Sequence, residues 1–170
     1  MADALMDFAL PDSGATEALG AALARAHPGA NVGAVVHLRG ELGSGKTTCA
    51  RSLLHSLGVT ATVRSPTYTL VDTYSVAELN CVHVDLYRVR SSLEVEELGL
   101  RDLTGPGYLM LIEWPEKGGI AVPDSDLDLQ LLYAGEARVA SLRAGSGVGE
   151  GWLKKLVLDS SLTPYVYNIT

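Results

Sequence analysis

One octapeptide constrains this chain more than anything else in it. Gly40-Glu41-Leu42-Gly43-Ser44-Gly45-Lys46-Thr47 satisfies the pattern G-x-x-x-x-G-K-[ST] at every fixed position and follows the apolar run Ala34-Val35-Val36-His37-Leu38. A glycine-rich loop between a strand and a helix lets successive backbone N–H groups turn inward toward phosphate, and the helix N-terminus adds partial positive charge. In such a loop Lys46 reaches the β- and γ-phosphates and the Thr47 hydroxyl ligates Mg²⁺. A plain turn leading into a plain helix is the competing interpretation. The strand before and the helix after supply the context that favours the phosphate loop.

Around that loop, hydrophobic periodicity predicts an alternation of helices and strands. Ser13 caps a helix whose apolar positions Ala15, Ala18, Leu19, Ala22, Leu23 and Ala26 recur at helical spacing, ending near Pro28-Gly29. Ala34 to Arg39 form a central strand, and Lys46 to Leu57 a helix that Gly58 terminates. Tyr68 to Tyr74 and Asn80 to Leu86 have strand-like alternation and are close enough for a hairpin. A short acidic helix at Ser92 to Leu98 precedes the buried-strand run Tyr108 to Glu113. Leu127 to Tyr133 and Ala137 to Leu142 flank a further turn, and Trp152 to Leu158 forms an amphipathic helix before an irregular tail. The expected fold is α/β: a P-loop NTPase-like three-layer domain with a mixed, mainly parallel central sheet flanked by helices and antiparallel strands. One domain is expected over 1–170, with a C-terminal helix and tail from about residue 146.

Composition narrows the partners. A net charge of −7, with Arg88 and Arg90, and Lys154 and Lys155, as small isolated basic pairs, argues against direct DNA or RNA binding, which draws on clustered Lys and Arg. No apolar run approaches the ~20 residues that cross a bilayer. The start Met1 to Asp7 is acidic, unlike a secretory signal, so a cytoplasmic protein without a membrane association is expected. The two cysteines, Cys49 and Cys81, fall inside a predicted helix and strand as small buried residues of a reducing compartment.

Two carboxylates close apolar strands. Asp85 ends Cys81-Val82-His83-Val84-Asp85 on the same strand face as Cys81 and His83, and Glu113 ends Leu109-Met110-Leu111-Ile112-Glu113. The carboxyl edge of an open α/β sheet is where ligands bind. Either acid could bind the magnesium shell while the other orients an attacking water; the division expected is Thr47 and Asp85 on the metal and Glu113 on the water, although the sheet order that would decide between them is not readable. His83 either orients Asp85 or is a satisfied core histidine. In Arg64-Ser65-Pro66-Thr67-Tyr68-Thr69, Pro66 restricts Ser65 to extended geometry and presents Thr67 from a loop where GTPases carry a γ-phosphate switch.

The combination of G-E-L-G-S-G-K-T-T, S-P-T-Y-T-L, H-V-D-L-Y-R and E-W-P-E, in that order, resembles the TsaE (YjeE) family of ATPases in tRNA threonylcarbamoyladenosine biosynthesis, from about Ala15 to about Leu142. The resemblance implies that Gly43, Ser44, Gly45, Lys46, Thr47 and Thr48 hold the phosphates, with Thr47 on the metal. It also puts Asp85 and Glu113 at the Mg²⁺ and γ-phosphate, Thr67 in a switch-like role and Trp114 beside the nucleotide. Lys46, Glu113, Asp85 and Thr67 are then the expected catalytic residues, and Thr47, Asp85 and Glu113 the metal site. The ligands implied are ATP/ADP and Mg²⁺, the partners TsaB and TsaD, and the tRNA is met only through their complex. Such proteins hydrolyse ATP slowly alone and support modification of the adenosine next to the anticodon in tRNAs reading codons that begin with A. Glu41 and Ser44 stand where the family commonly has Asp and Ala. A small-molecule kinase and a nucleotide-gated binding module with incidental hydrolysis are the alternatives that the P-loop alone permits.

Overall fold

A computed structural model describes residues 5–169. In chain order the elements are β1 (Leu5–Leu10), α1 (Ser13–Arg25), β2 (Ala34–Gly40), α2 (Lys46–Leu57), β3 (Val71–Val76), β4 (Leu79–Asp85), α3 (Ser92–Glu97), β5 (Tyr108–Glu113), β6 (Leu127–Ala134), β7 (Ala137–Ala144), α4 (Gly147–Leu156) and β8 (Val166–Ile169). Short 3₁₀ turns occupy Leu100–Leu103, Pro115–Lys117, Gly119–Ala121 and Ser160–Tyr165.

The layers follow from strands that are apolar on both faces. In β5, Leu109 and Leu111 enter one core while Met110 and Ile112 enter the other, because successive strand side chains point to opposite sides. β4 divides in the same way, with Leu79 and Cys81 on the first side and Val82 and Val84 on the second. Leu19 and Leu23 of α1, Leu53 and Leu54 of α2, and Trp152 of α4 cover the first core. Val95 of α3, Leu100 and Ala121 cover the second. On β6 only one face is apolar: Leu127, Leu129 and Leu131 pack inward, whereas Arg39 of β2 pairs with Asp128 on the other side at 2.8 Å.

The described residues form one eight-stranded sheet in the order β3-β4-β5-β2-β6-β7-β1-β8. Strands β4, β5, β2 and β6 are parallel neighbours, and the outer pairs are antiparallel. This is the mixed α/β arrangement expected. The bounds of α2 and β5 match the sequence reading; the cap of α1 is Asp12 rather than Ser13, and four further elements depart from that reading. The first hairpin strand begins at Val71, because Leu70 adopts φ 67° and its N–H closes a turn onto the Pro66 carbonyl at 2.7 Å. The last helix starts earlier, at Gly147, where the Ser146 hydroxyl accepts from the Gly149 N–H. Leu5–Leu10, read only as an acidic start, and part of the supposedly irregular tail are strands β1 and β8, which pair with each other. Residues 1–4 and 170 lie outside the described part of the chain. No helix among the described residues is long and apolar enough to cross a membrane.

Helix α2 carries the phosphate loop at its head, and its seat is narrow. A Cβ on Gly20 of α1 would lie 2.5 Å from the Cys49 carbonyl oxygen and 2.8 Å from the Ser52 Cβ. Both cysteines are buried and free, and burial pushes the Cys49 thiol up to about 12 and Cys81 to about 11, so neither is available as thiolate.

Trp152 anchors α4: it is fully buried, donates its indole N–H to the Leu23 carbonyl at 3.0 Å and meets the His27 ring edge-on at 5.5 Å. Trp152→Ala should destabilise the protein by about 3–5 kcal/mol in denaturant unfolding, the range for deleting a buried aromatic. His27 accepts the Gly29 N–H at Nδ1, and burial, then the Lys155 ammonium, hold it below its ordinary 6.5. His37 is lowered too, chiefly by burial. The unfolded chain therefore binds more protons than the folded one below 6.5. Stability from these groups is complete above that value and is lost as pH falls through the lower folded-state values. Thermal melts should show Tm falling from about pH 7 to about pH 5, with a shallower fall in His27→Asn; a flat profile would contradict this.

Candidate active site

The phosphate loop stands at the carboxyl end of β2, and its path needs glycine. A Cβ at Gly40 (φ 146°) would lie 2.5 Å from the Ser44 Oγ and 2.6 Å from the Leu131 carbonyl oxygen, while Gly43 and Gly45 have φ 77° and 107°. The Ser44 side chain is buried against Gly40 without a partner, and its N–H is bonded to the Glu41 carbonyl at 3.1 Å. From the other side, the Tyr133 hydroxyl donates to the Leu42 carbonyl at 2.7 Å and Arg138 to that of Gly43 at 3.3 Å, so the β6–β7 hairpin braces the loop.

The start of α2 differs from the other described α-helices. Asp12, Ser91 and Ser146 cap α1, α3 and α4 with a side-chain oxygen, but Gly45 provides none to α2. Its leading N–H groups are left for an outside acceptor, which is what an anionic phosphate supplies. Lys46, 4% exposed, donates its ammonium to the Gly40 and Glu41 carbonyls at 2.6 and 2.8 Å and lies 4.2 Å from the centre of the Trp114 ring. Burial pushes this ammonium below its ordinary value, and the carboxylates of Glu113, Asp85 and Glu116 pull it back.

The sheet order brings the two strand-end acids together. β4 and β5 are adjacent and parallel with Asp85 opposite Glu113, both buried at the carboxyl edge. Each acid has its own donors. Glu113 accepts the Thr47 hydroxyl at 2.9 and 3.0 Å and the His83 Nε2 at 2.8 Å. Asp85 accepts the Tyr87 N–H at 2.9 Å, the Ser65 hydroxyl, and the Thr67 hydroxyl at 3.4 Å, with Ser65 and Thr67 2.8 Å apart. His83 therefore contacts Glu113 and not Asp85, correcting the pairing inferred from the shared strand face; neighbouring strands matter here as much as position within one strand.

These groups line a cleft of about 410 Å³, walled by Lys46, Thr47, Thr48, Asp85, Glu113 and Trp114. Trp114 is in the left-handed region at φ 58° and meets the Tyr87 ring at a 45° tilt with ring centres 5.0 Å apart. The oxygen donors Thr47 and Glu113 suit Mg²⁺, which prefers hard oxygen ligands and commonly takes one or two carboxylates plus substrate phosphates. Ser65 and Tyr87 were not singled out as site residues from sequence. Their signals were present, a second hydroxyl two positions before Thr67 and the aromatic two positions after Asp85, but their use depends on the fold.

Residues 10–140 match the family model described as threonylcarbamoyl adenosine biosynthesis protein TsaE. The tRNA threonylcarbamoyladenosine biosynthesis protein TsaE of Haemophilus influenzae is 40% identical over 116 residues, covering 68% of this chain and 73% of the relative. The protein of the same name from a Synechocystis strain is 38% identical over 116 residues, 66% of this chain and 71% of the relative. The crystal structure of Bacillus subtilis YdiB aligns with a TM-score of 0.74 at 24% identity, covering 92% of this chain and 97% of that one, a likeness of fold. Because the matched span takes in the phosphate loop, the Ser65–Thr67 loop and both strand-end acids, this chain belongs to the TsaE family.

Proposed function

We propose that this chain is a Mg²⁺-dependent ATPase serving tRNA threonylcarbamoyladenosine biosynthesis. The biosynthetic role is supported by family membership and by the names of its relatives. The observation that carries the chemical reading is the facing of Asp85 and Glu113 across β4 and β5, each with a separate set of donors, beside an uncapped phosphate loop.

In this reading the loop N–H groups and Lys46 bind the phosphates, and Thr47 and Glu113 would hold Mg²⁺. When bound, the ion neutralises phosphate charge and so favours displacement by water. The Thr47–Glu113 hydrogen bond favours this pair for the metal, since Thr47 is the hydroxyl expected there, and so reverses the division of the two acids expected from sequence. Asp85, oriented by Tyr87, Ser65 and Thr67, accepts a hydrogen bond from the attacking water and fixes its approach. Trp114 holds the Lys46 ammonium over its ring and closes one wall. TsaB and TsaD are the proposed partners, with tRNA held by them, because a chain of net charge −7 is poorly suited to gripping a phosphate backbone itself.

A nucleotide-gated binding module is favoured by one feature, the tether of the Ser65–Thr67 loop to Asp85, which could transmit ligand binding to a partner. The two readings separate at Asp85. Asp85→Asn should lower kcat by about 10²-fold or more while leaving nucleotide affinity near wild type, the pattern for loss of a water-positioning or basic group. Lys46→Ala should weaken triphosphate binding itself; a variant with wild-type affinity and turnover would remove the P-loop assignment. Steady-state phosphate release should be slow for the chain alone and rise strongly when TsaB and TsaD are added. An unchanged rate in a demonstrated complex would favour the gated module.

A further inference from the structure

We propose that His83 is a positioning residue for Glu113, and that its hydrogen bond sets how well the Thr47–Glu113 pair binds a divalent cation. The inference rests on the Mg²⁺ reading above and adds to it a residue that does not itself touch the metal or the nucleotide.

Two side chains supply hydrogens to Glu113. Thr47 has a single hydroxyl hydrogen, and its oxygen lies at nearly equal distances, 2.9 and 3.0 Å, from the two carboxylate oxygens. One hydrogen shared across both oxygens defines where the carboxylate sits but resists its rotation weakly. His83 Nε2 lies 2.8 Å from Oε1 alone and so distinguishes the two oxygens. A carboxylate only accepts, so Nε2 must carry the hydrogen. The imidazole is fully buried on β4, two pairs below the acids on the same strand face: the register sets His83 against Leu111 and Asp85 against Glu113.

Packing alone does not explain a histidine at this position. Its Nδ1 is buried and has no partner among the described residues, a destabilising feature that Cys81, packed in the core on the same strand face, does not carry. What the residue gains in return is the one contact to Glu113. That contact also keeps the two acids separate. Opposed like charges on adjacent strands repel, and no donor is common to Asp85 and Glu113 among the described residues. Lys46 does not substitute for His83, because its ammonium is directed to the loop carbonyls. Residues that orient metal ligands in this way change metal affinity by about 10–100-fold when they are removed.

The test compares His83→Leu, which removes the donor, with His83→Gln, whose amide nitrogen can reach the place of Nε2, and His83→Asn, whose shorter side chain cannot. ADP binding is titrated by calorimetry across Mg²⁺ concentrations and in EDTA, with thermal melting to confirm folding. The expected result is that His83→Leu and His83→Asn need about 10-fold or more Mg²⁺ for the same tightening of ADP binding. His83→Gln should return most of the way to wild type, and affinity in EDTA should be unchanged throughout. If His83→Leu does not fold, the Gln and Asn pair gives the same comparison. Equal Mg²⁺ dependence in wild type and the folded donor-deficient variants overturns the proposal and leaves the Mg²⁺ reading intact. So does impairment of His83→Gln equal to that of His83→Asn, which would assign the effect to shape. A wild-type protein whose ADP binding ignores Mg²⁺ overturns both.

Discussion

The structure is organised around charge that has been taken out of water. Lys46, Asp85 and Glu113, with His83 beside them, are each less than 5% exposed at one end of the sheet. Burying ionisable groups is costly unless each finds partners, and removing one member leaves the others uncompensated. The surrounding sequence is largely a set of such partners: loop carbonyls for Lys46, Thr47 for Glu113, and Ser65, Thr67 and a backbone N–H for Asp85. The central strands are apolar on both faces because they must carry these groups to the edge while being covered by helices on one side and turns on the other.

This constraint links the fold to the chemistry. An enzyme handling a polyphosphate needs fixed dipoles and charges that do not have to reorganise when the reaction occurs. The parallel pairing of β4 with β5 places two acids side by side without any loop between them. The close approach of α1 to α2 at Gly20, and the hairpin contacts from Tyr133 and Arg138, hold the phosphate loop from both sides. The segment that leads into β3 is tied directly to Asp85 through the Ser65 and Thr67 hydroxyls.

Much of this was legible in the sequence wherever a signal is local. The glycines and lysine of the loop, the helix Lys46–Leu57 and the strand Tyr108–Glu113 depend on neighbours within a few residues, and they were read with their bounds. Strands β1 and β8 were not legible, because six residues and four residues of modest alternation become strands only by pairing with distant partners. The glycine-rich start of α4 hid its first turn, since Gly weakens helix propensity and only the Ser146 cap compensates. For the site, residue types and strand ends identified Asp85 and Glu113. Which donor serves which acid required the strand order, and so the partner of His83 and the part played by Ser65 emerged only from the assembled sheet.

Trp114 shows what that assembly demands of a single backbone position. A bulky residue at φ 58° is strained, by about 1–3 kcal/mol, and the proline that follows it further narrows its choices. A glycine would sit there more comfortably, yet it could bring no ring to Lys46 or Tyr87. Backbone ease and a walled cleft therefore pull in opposite directions at this residue, and the structure keeps the ring at the expense of the backbone.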